Sequence, residues 1–191
     1  MTMTAVTVEP GQGEAVWFLT NRITVKATSA MTNGAYGLFE TQMPAGFSPP
    51  LHVHHGEDEA FWVLEGNFSV RCGDQTVRVG PGAFVFAPRD IPHTFLCEGP
   101  GPGRMLTLVS PGGSEAFFVE AGRRAENDGL PPAGPPDIAR LKQCRRNTRW
   151  RSSVRPCPGS RASLDGCDSL EGWRACSTSI CLRASSIAMT S

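Results

Sequence analysis

His52-Val53-His54-His55-Gly56-Glu57-Asp58-Glu59-Ala60-Phe61-Trp62-Val63-Leu64-Glu65-Gly66 is the stretch that decides how this chain is read. It holds three of the four histidines in 191 residues, and the fourth, His93, follows in a second block, Gly82-x5-Pro88-x4-His93. Side chains alternate faces along a strand, so His52 and His54 point the same way with Cα atoms roughly 6.7 Å apart, and both rings can reach one ion at about 2.1 Å. Glu59 has the wrong parity for a continuous strand. The turn-forming run His55-Gly56-Glu57-Asp58 resets the face, so that Glu59, Phe61 and Val63 lie inward. A shorter loop leaves Glu57 or Asp58 in place of Glu59, and His55 belongs to the turn. His93 follows the rigid Ile91-Pro92 step and shares its face with Phe95, so a neighbouring strand can deliver a third imidazole.

Outward from this stretch the signals are those of short strands rich in Val, Phe, Thr and Trp. Strands are expected near 15–19, 22–28, 34–42, 51–54, 59–64, 67–71, 76–79, 83–86, 92–97 and 104–109. Asn33-Gly34, Glu65-Gly66-Asn67, Gly73-Asp74 and Gly80-Pro81-Gly82 separate them with residues suited to tight reversals. About ten such strands mean a sandwich or barrel. Ser114 to Ala121 reads as a short helix with Ser114 as N-cap, Glu115 favouring the dipole and Gly122 as stop. A second helix from Asp137 to about Gln143 is a weaker expectation.

Lys plus Arg equals Asp plus Glu at 18 each, so no net field attracts nucleic acid or an acidic membrane, and a small-molecule partner is expected. Residues 1–141 carry 9 basic and 15 acidic groups, whereas 142–191 carry 9 and 3. The tail also holds five of the seven cysteines without paired spacing, which argues against both a zinc site and a disulfide framework. This gives a domain over 1–121 and a Pro/Gly linker with a basic, disordered tail over 122–191. The break after about Leu141 also fits a shifted reading frame. The start lacks an apolar h-region and no window nears the roughly 18 apolar residues of a membrane span, so a cytoplasmic protein is expected.

The spacing Gly46-x5-His52-x-His54-x4-Glu59-x6-Gly66, followed by the Gly82 block, resembles the two motifs of the cupin superfamily, and the wording of 52–66 is similar to single-domain cupins of the quercetin 2,3-dioxygenase kind. The first motif matches at each fixed position. The second departs, with Asp90 where glycine is usual and Cys97 where asparagine commonly stands. The resemblance covers roughly 30–112. It implies an all-β, double-stranded β-helix (jelly-roll) barrel with a short C-terminal helix and an irregular tail.

The resemblance further implies that His52, His54, Glu59 and His93 ligate one divalent metal with a position open to substrate or O2, iron first, with Mn, Ni, Cu or Zn as alternatives. Glu59 doubles as catalytic base. Phe39, Phe47, Phe61, Phe86 and Phe95, with Met105, are expected to wall the substrate pocket. Phe84 shares that inward alternation, joined on the last strand by Met105 or by Leu106 and Leu108, whereas Trp62 and Val70 face outward. The implied activity is a dioxygenase on a flavonol-like or other enolisable molecule, and the alternative is a non-catalytic module binding metal and small molecule. A sugar isomerase is weaker because the wall is apolar. A homodimer is expected, through Trp17, Phe18 and the Phe117–Phe118 helix.

Overall fold

Strict alternation of buried and part-exposed positions in the segments Gly37–Met43 and Gly103–Ser110 shows the period of a sheet with one face on a core. The computed structural model describes residues 5–134 together with Arg140, Cys144 and 154–156. Its strands are β1 (Glu14–Phe18), β2 (Asn21–Ala27), β3 (Gly37–Met43), β4 (His52–His54), β5 (Asp58–Glu65), β6 (Asn67–Cys72), β7 (Gln75–Val79), β8 (Phe84–Ala87), β9 (His93–Glu98) and β10 (Gly103–Ser110). Helix α1 (Ser114–Ala121), β11 (Arg123–Arg124) and β12 (Val154–Pro156) follow. Ten expected strands are thus ten observed ones, with ends shifted by three residues at most.

The strands form two antiparallel sheets, one ordered β11-β1-β2-β3-β10-β5-β8 and the other β12-β4-β9-β6-β7. Phe61, Val63, Ala87, Met43 and Met105 of the first sheet pack with Phe68, Val70 and Cys97 of the second, so the main core lies between them. Gly66, at φ 82, carries the chain from β5 in one sheet to β6 in the other in a single residue, which is what the motif glycine is for. This is the all-β jelly-roll architecture that the motifs imply.

Two orientations differ from expectation, and the open choice on β10 falls to Met105. Residues opposite one another across a ladder share a face, and Phe61 and Glu59 of β5 stand opposite Val85 and Ala87 of β8. Val85 and Ala87 therefore point inward, while Phe84 and Phe86 lie exposed outside. Val70 pairs in phase with Phe68 and fills the core rather than facing out. On β10 the inward residues are Met105, Thr107 and Val109, which leaves Leu106 and Leu108 on the outer face.

Helix α1 packs on β1 and β3, with Phe118 against Phe39 and Phe18, and Phe117 against Phe18. Ser114 is not its N-cap: Gly113 occupies that position and no side chain of the N-cap residue bonds the helix. The buried carboxylate of Glu115 serves instead, accepting from Gly113 N–H at 2.8 Å and from Ser29 N–H at 2.6 Å. Gly37 sits directly against that carboxylate, where a Cβ would collide with it. Burial would raise the Glu115 carboxyl, but the hydrogen bonds from Ser29 and Gly113 outweigh it and hold the group below its ordinary value.

Beyond the helix, the first residues of the expected linker are laid on the barrel. β11 pairs with β1, Arg123 lies over the Trp17 ring at 4.8 Å, and Trp17 Nε1–H donates to Gly129 O at 2.9 Å. Arg22 joins Asp128 at 2.8 Å. Arg140 donates to Glu120 O, Cys144 packs beside Phe117 and Ala121, and β12 pairs along β4. The second expected helix, the basic run 145–151, and Cys157, Cys167, Cys176 and Cys181 fall outside the described residues, Arg140, Cys144 and β12 apart.

Glu115→Ala is expected to cost about 1–3 kcal/mol, the penalty for orphaning buried donors, measured by denaturant unfolding at neutral pH. Because the folded group titrates below its unfolded value near 4.5, its contribution is complete above that pH and is lost as pH falls through the folded value. Glu115→Gln should therefore flatten the stability profile in that acidic window and leave it unchanged in slope above pH 6.

Candidate metal centre

Strand β4 puts His52 and His54 on one face, and its pairing with β9 sets His52 opposite His93. The three imidazoles accordingly crowd together, with ring centroids 4.7 Å apart for His52–His93, 5.0 Å for His52–His54 and 5.3 Å for the stacked pair His54–His93. Glu59 comes from β5 in the opposite sheet, the parity reset by the 55–57 turn. Its Oε2 lies 3.1 Å from His93 Nε2 and 3.6 Å from His54 Nε2. One donor atom from each of the four residues falls within 4.8 Å of the others. The expected ligand set is thus brought together from both sheets.

Hydrogen bonds on the far side of the rings fix which nitrogen faces the cluster. His52 Nδ1–H donates to Pro50 O at 2.8 Å and His93 Nδ1–H to Ile91 O at 2.9 Å, which turns each Nε2 toward the cluster. His54 Nδ1 is 3.4 Å from Glu57 Oε2, a long contact of the carboxylate–imidazole type that orients metal-binding histidines. A glutamate in a turn is ordinarily a solvated acid, but Glu57 is not. Its side chain is mostly covered, and the i,i+3 spacing to His54 was the available signal.

Burial, reinforced by the nearby charge of His93, lowers the His52 imidazole to about 4. Burial likewise opposes charge on Glu59, but the hydrogen bond with His93 and the neighbouring imidazoles hold its carboxyl below the ordinary value. Burial lowers the His93 imidazole, but its hydrogen bond to Glu59 and the charge of that carboxylate outweigh burial and raise it, so a divalent cation entering the cluster would displace a proton from His93. Three nitrogens with one oxygen suit a borderline or first-row metal. The donor set fits such an ion.

His55 stays outside the cluster, exposed, with Nδ1 2.8 Å from Asp90 Oδ1. Asp90, in place of the usual glycine, adopts φ 65, and its N–H donates to His54 O at 2.8 Å. Asp58 is engaged by Arg89 through side-chain and backbone bonds, which hold its carboxyl at about 2. Neither Asp58 nor Glu57 replaces Glu59 in the cluster.

Of the expected pocket wall, Phe61 stands 6.4 Å from the His93 ring and meets Phe95 at 5.6 Å, while Phe47 packs on Phe95 at 6.2 Å. Met105 is fully buried in the same cluster. Phe39 lies in a second cluster with Val16, Ile23 and Val109, against α1. Phe86 is outside the barrel, for the register reason given above, and is no part of the wall. Cys97, at the position where asparagine is common, is buried with Phe68 and Met105, and burial pushes its thiol upward.

Residues 39–109 match the cupin domain family. Over 115 residues the chain is 24% identical to quercetin 2,3-dioxygenase of Bacillus subtilis (strain 168), covering 60% of this chain and 34% of that protein. It therefore spans about a third of the length of this curated relative. The solved structure of KdgF from Halomonas sp. superposes with a TM-score of 0.52 at 17% identity, over 60% of this chain and 99% of the other. The cupin domain of Schizosaccharomyces pombe Cnp3 gives 0.49 at 15% identity, over 56% and 74%.

Glu57→Ala is expected to weaken divalent-metal affinity about 10- to 100-fold, the usual effect of losing an imidazole's orienting carboxylate, while Glu59→Ala weakens it further. Competition with a metal-sensitive dye measures both. Equal affinity of Glu57→Ala and the unmodified chain would remove Glu57 from the site.

Proposed function

We propose, for a chain that carries a cupin domain across residues 39–109, a metal-dependent dioxygenase-type activity on a flavonol-like or other enolisable small molecule, with O2 as co-substrate. The observation that carries this reading is the convergence of His52, His54, His93 and Glu59 between two sheets, beside an aromatic wall. The distant likeness to a quercetin 2,3-dioxygenase supplies the reaction type, as analogy. A divalent ion held by these four residues, iron first and Mn, Ni, Cu or Zn as alternatives, would supply Lewis acidity toward adjacent substrate oxygens.

The chain's own groups do the rest. Glu59 is the base: its carboxylate, kept ionised beside three imidazoles, accepts the proton of an enolic or phenolic hydroxyl brought to the cluster. Phe61, Phe95 and Phe47 offer flat apolar surfaces for an aromatic ring and keep water from the reacting carbon atoms. The free thiols of Cys72 and Cys97 agree with a reducing, cytoplasmic setting.

A second reading, a non-catalytic module that binds metal and a small molecule, is favoured by one observation, that the chain spans only 34% of the dioxygenase it resembles. Elemental analysis of the purified protein, followed by O2-electrode assays of metal-loaded protein with a panel of flavonols, separates the two. O2 uptake that disappears in His52→Ala, with folding intact, is the expected result. No uptake with any of the five metals, together with a large loss of thermal stability in His52→Ala, assigns the ion to structure instead.

A further inference from the structure

Midway along β3 and β10 the inner face of the seven-stranded sheet carries two hydroxyls. Thr107 of β10 stands between Phe61 of β5 and Phe39 of β3, and Thr41 of β3 stands between Met105 of β10 and Ile23 of β2. Phe61 and Met105 belong to the main core, Phe39 and Ile23 to the second cluster, so the threonines mark the seam between the two. Alternation along each strand turns both side chains inward. Thr107 is only 4% exposed, and among the described residues no hydrogen bond engages its hydroxyl, yet its oxygen is not sealed in.

Threonine differs from valine by a hydroxyl in place of a methyl, and in an apolar wall that hydroxyl is unfavourable unless something bonds to it. A buried polar group without a partner in the chain is where a bound molecule can supply one. The position fits such a role. Val109, two residues along β10, stands opposite Glu59, so Thr107 is diagonal to that carboxylate at the roughly 7–8 Å of cross-strand diagonals. Phe61 spans the interval, with its ring 6.4 Å from that of His93 and its backbone opposite Thr107. An aromatic molecule that gives two adjacent oxygens to the cluster and lies along Phe61 carries its far edge to the Thr107 hydroxyl.

We propose that Thr107 binds a second oxygen of the substrate, one ring away from the pair that meets the metal cluster. This rests on the flavonol-like reading given above and narrows it, to enolisable aromatic molecules whose fused ring ends in a hydroxyl or keto oxygen. A threonine hydroxyl donates to either and accepts from the first. A molecule ending there in hydrocarbon leaves it unbonded and is disfavoured.

Two probes test this: 3-hydroxyflavone, with the chelating hydroxyl–ketone pair alone, and 3,7-dihydroxyflavone, which adds a hydroxyl at the far edge of the fused ring. Calorimetric titration of the full chain loaded with Zn(II), without O2, should show the dihydroxy probe binding about tenfold more tightly, the worth of one net hydrogen bond. Thr107→Val should bring the two probes to equal affinity, and Thr107→Ser, which keeps the hydroxyl, should restore the ratio. A merely structural role for Thr107 would move both affinities together. Thr41→Val, the same exchange one row farther from Glu59, should keep the ratio of the unmodified chain. A tenfold ratio that persists in Thr107→Val overturns the proposal, as does equal or absent binding of the two probes to the unmodified protein. A ratio that depends on Thr107 without any O2 uptake in the assays above upholds it and removes the dioxygenase reading; O2 uptake with a ratio indifferent to Thr107 does the reverse.

Discussion

The contact on which the arrangement depends is the 3.1 Å hydrogen bond between Glu59 and His93, which reaches across the core from one sheet to the other. A carboxylate and three imidazoles in an apolar interior are each costly to bury alone, and neighbouring imidazoles oppose one another's protonation. Together they are complementary. Glu59 stays ionised because His93 donates to it, and His52 stays neutral because it is buried beside His93. The distance between the sheets at this level is consequently set by a polar contact, while Phe61, Phe68 and Phe95 set it a few residues away through ring packing.

Most of the site was legible in residue spacing because strand geometry converts spacing into direction. His52-x-His54 needs only alternation, and the parity mismatch of Glu59 is corrected by the turn between β4 and β5, which lets the carboxylate approach from the opposite sheet. Where reading failed, it failed on phase. Phe84, Val85 and Phe86 are all apolar, and an apolar run does not state which of its two faces is inward; Val70, by contrast, shares a face with Phe68 and alternates with Ser69 and Arg71. The answer comes from the partner strand: Val85 stands opposite Phe61, and Phe68 opposite Cys97. Glu57 was missed for a related reason, since a glutamate in a turn looks solvated until the adjacent imidazole is placed. Serine is favoured at an N-cap, which points to Ser114, but a buried glutamate two residues beyond the cap serves two backbone donors at once.

Strand β5 presents different chemistry on its two faces. Glu59, Phe61 and Val63 point into the barrel, while Trp62 and Leu64 point out of it, so one eight-residue strand carries a metal ligand on one side and an exposed aromatic on the other. A sheet buried on both sides reads as continuous hydrophobicity, and 60–64, Ala-Phe-Trp-Val-Leu, reads that way. An ordinary solvent-facing strand would alternate with polar residues, as β3 does with Glu40 and Gln42. The outer positions Trp62 and Leu64 of β5 and Phe84 and Phe86 of β8 are instead apolar and exposed.

The departure at Asp90 shows why a motif can lose a glycine without losing its geometry. The position needs φ near 65, where a side chain is ordinarily strained, and aspartate is among the few residues that tolerate it. Here the side chain also has a partner: its carboxylate accepts from His55 while its N–H donates to His54 O. Two bonds thus link the loop that precedes His93 to the end of the strand that carries His52 and His54. A glycine at the same place would supply the conformation and only the second of those bonds. His55, the one histidine outside the cluster, accordingly has a structural reason to stand beside it, as the donor that holds the second motif's loop against the first.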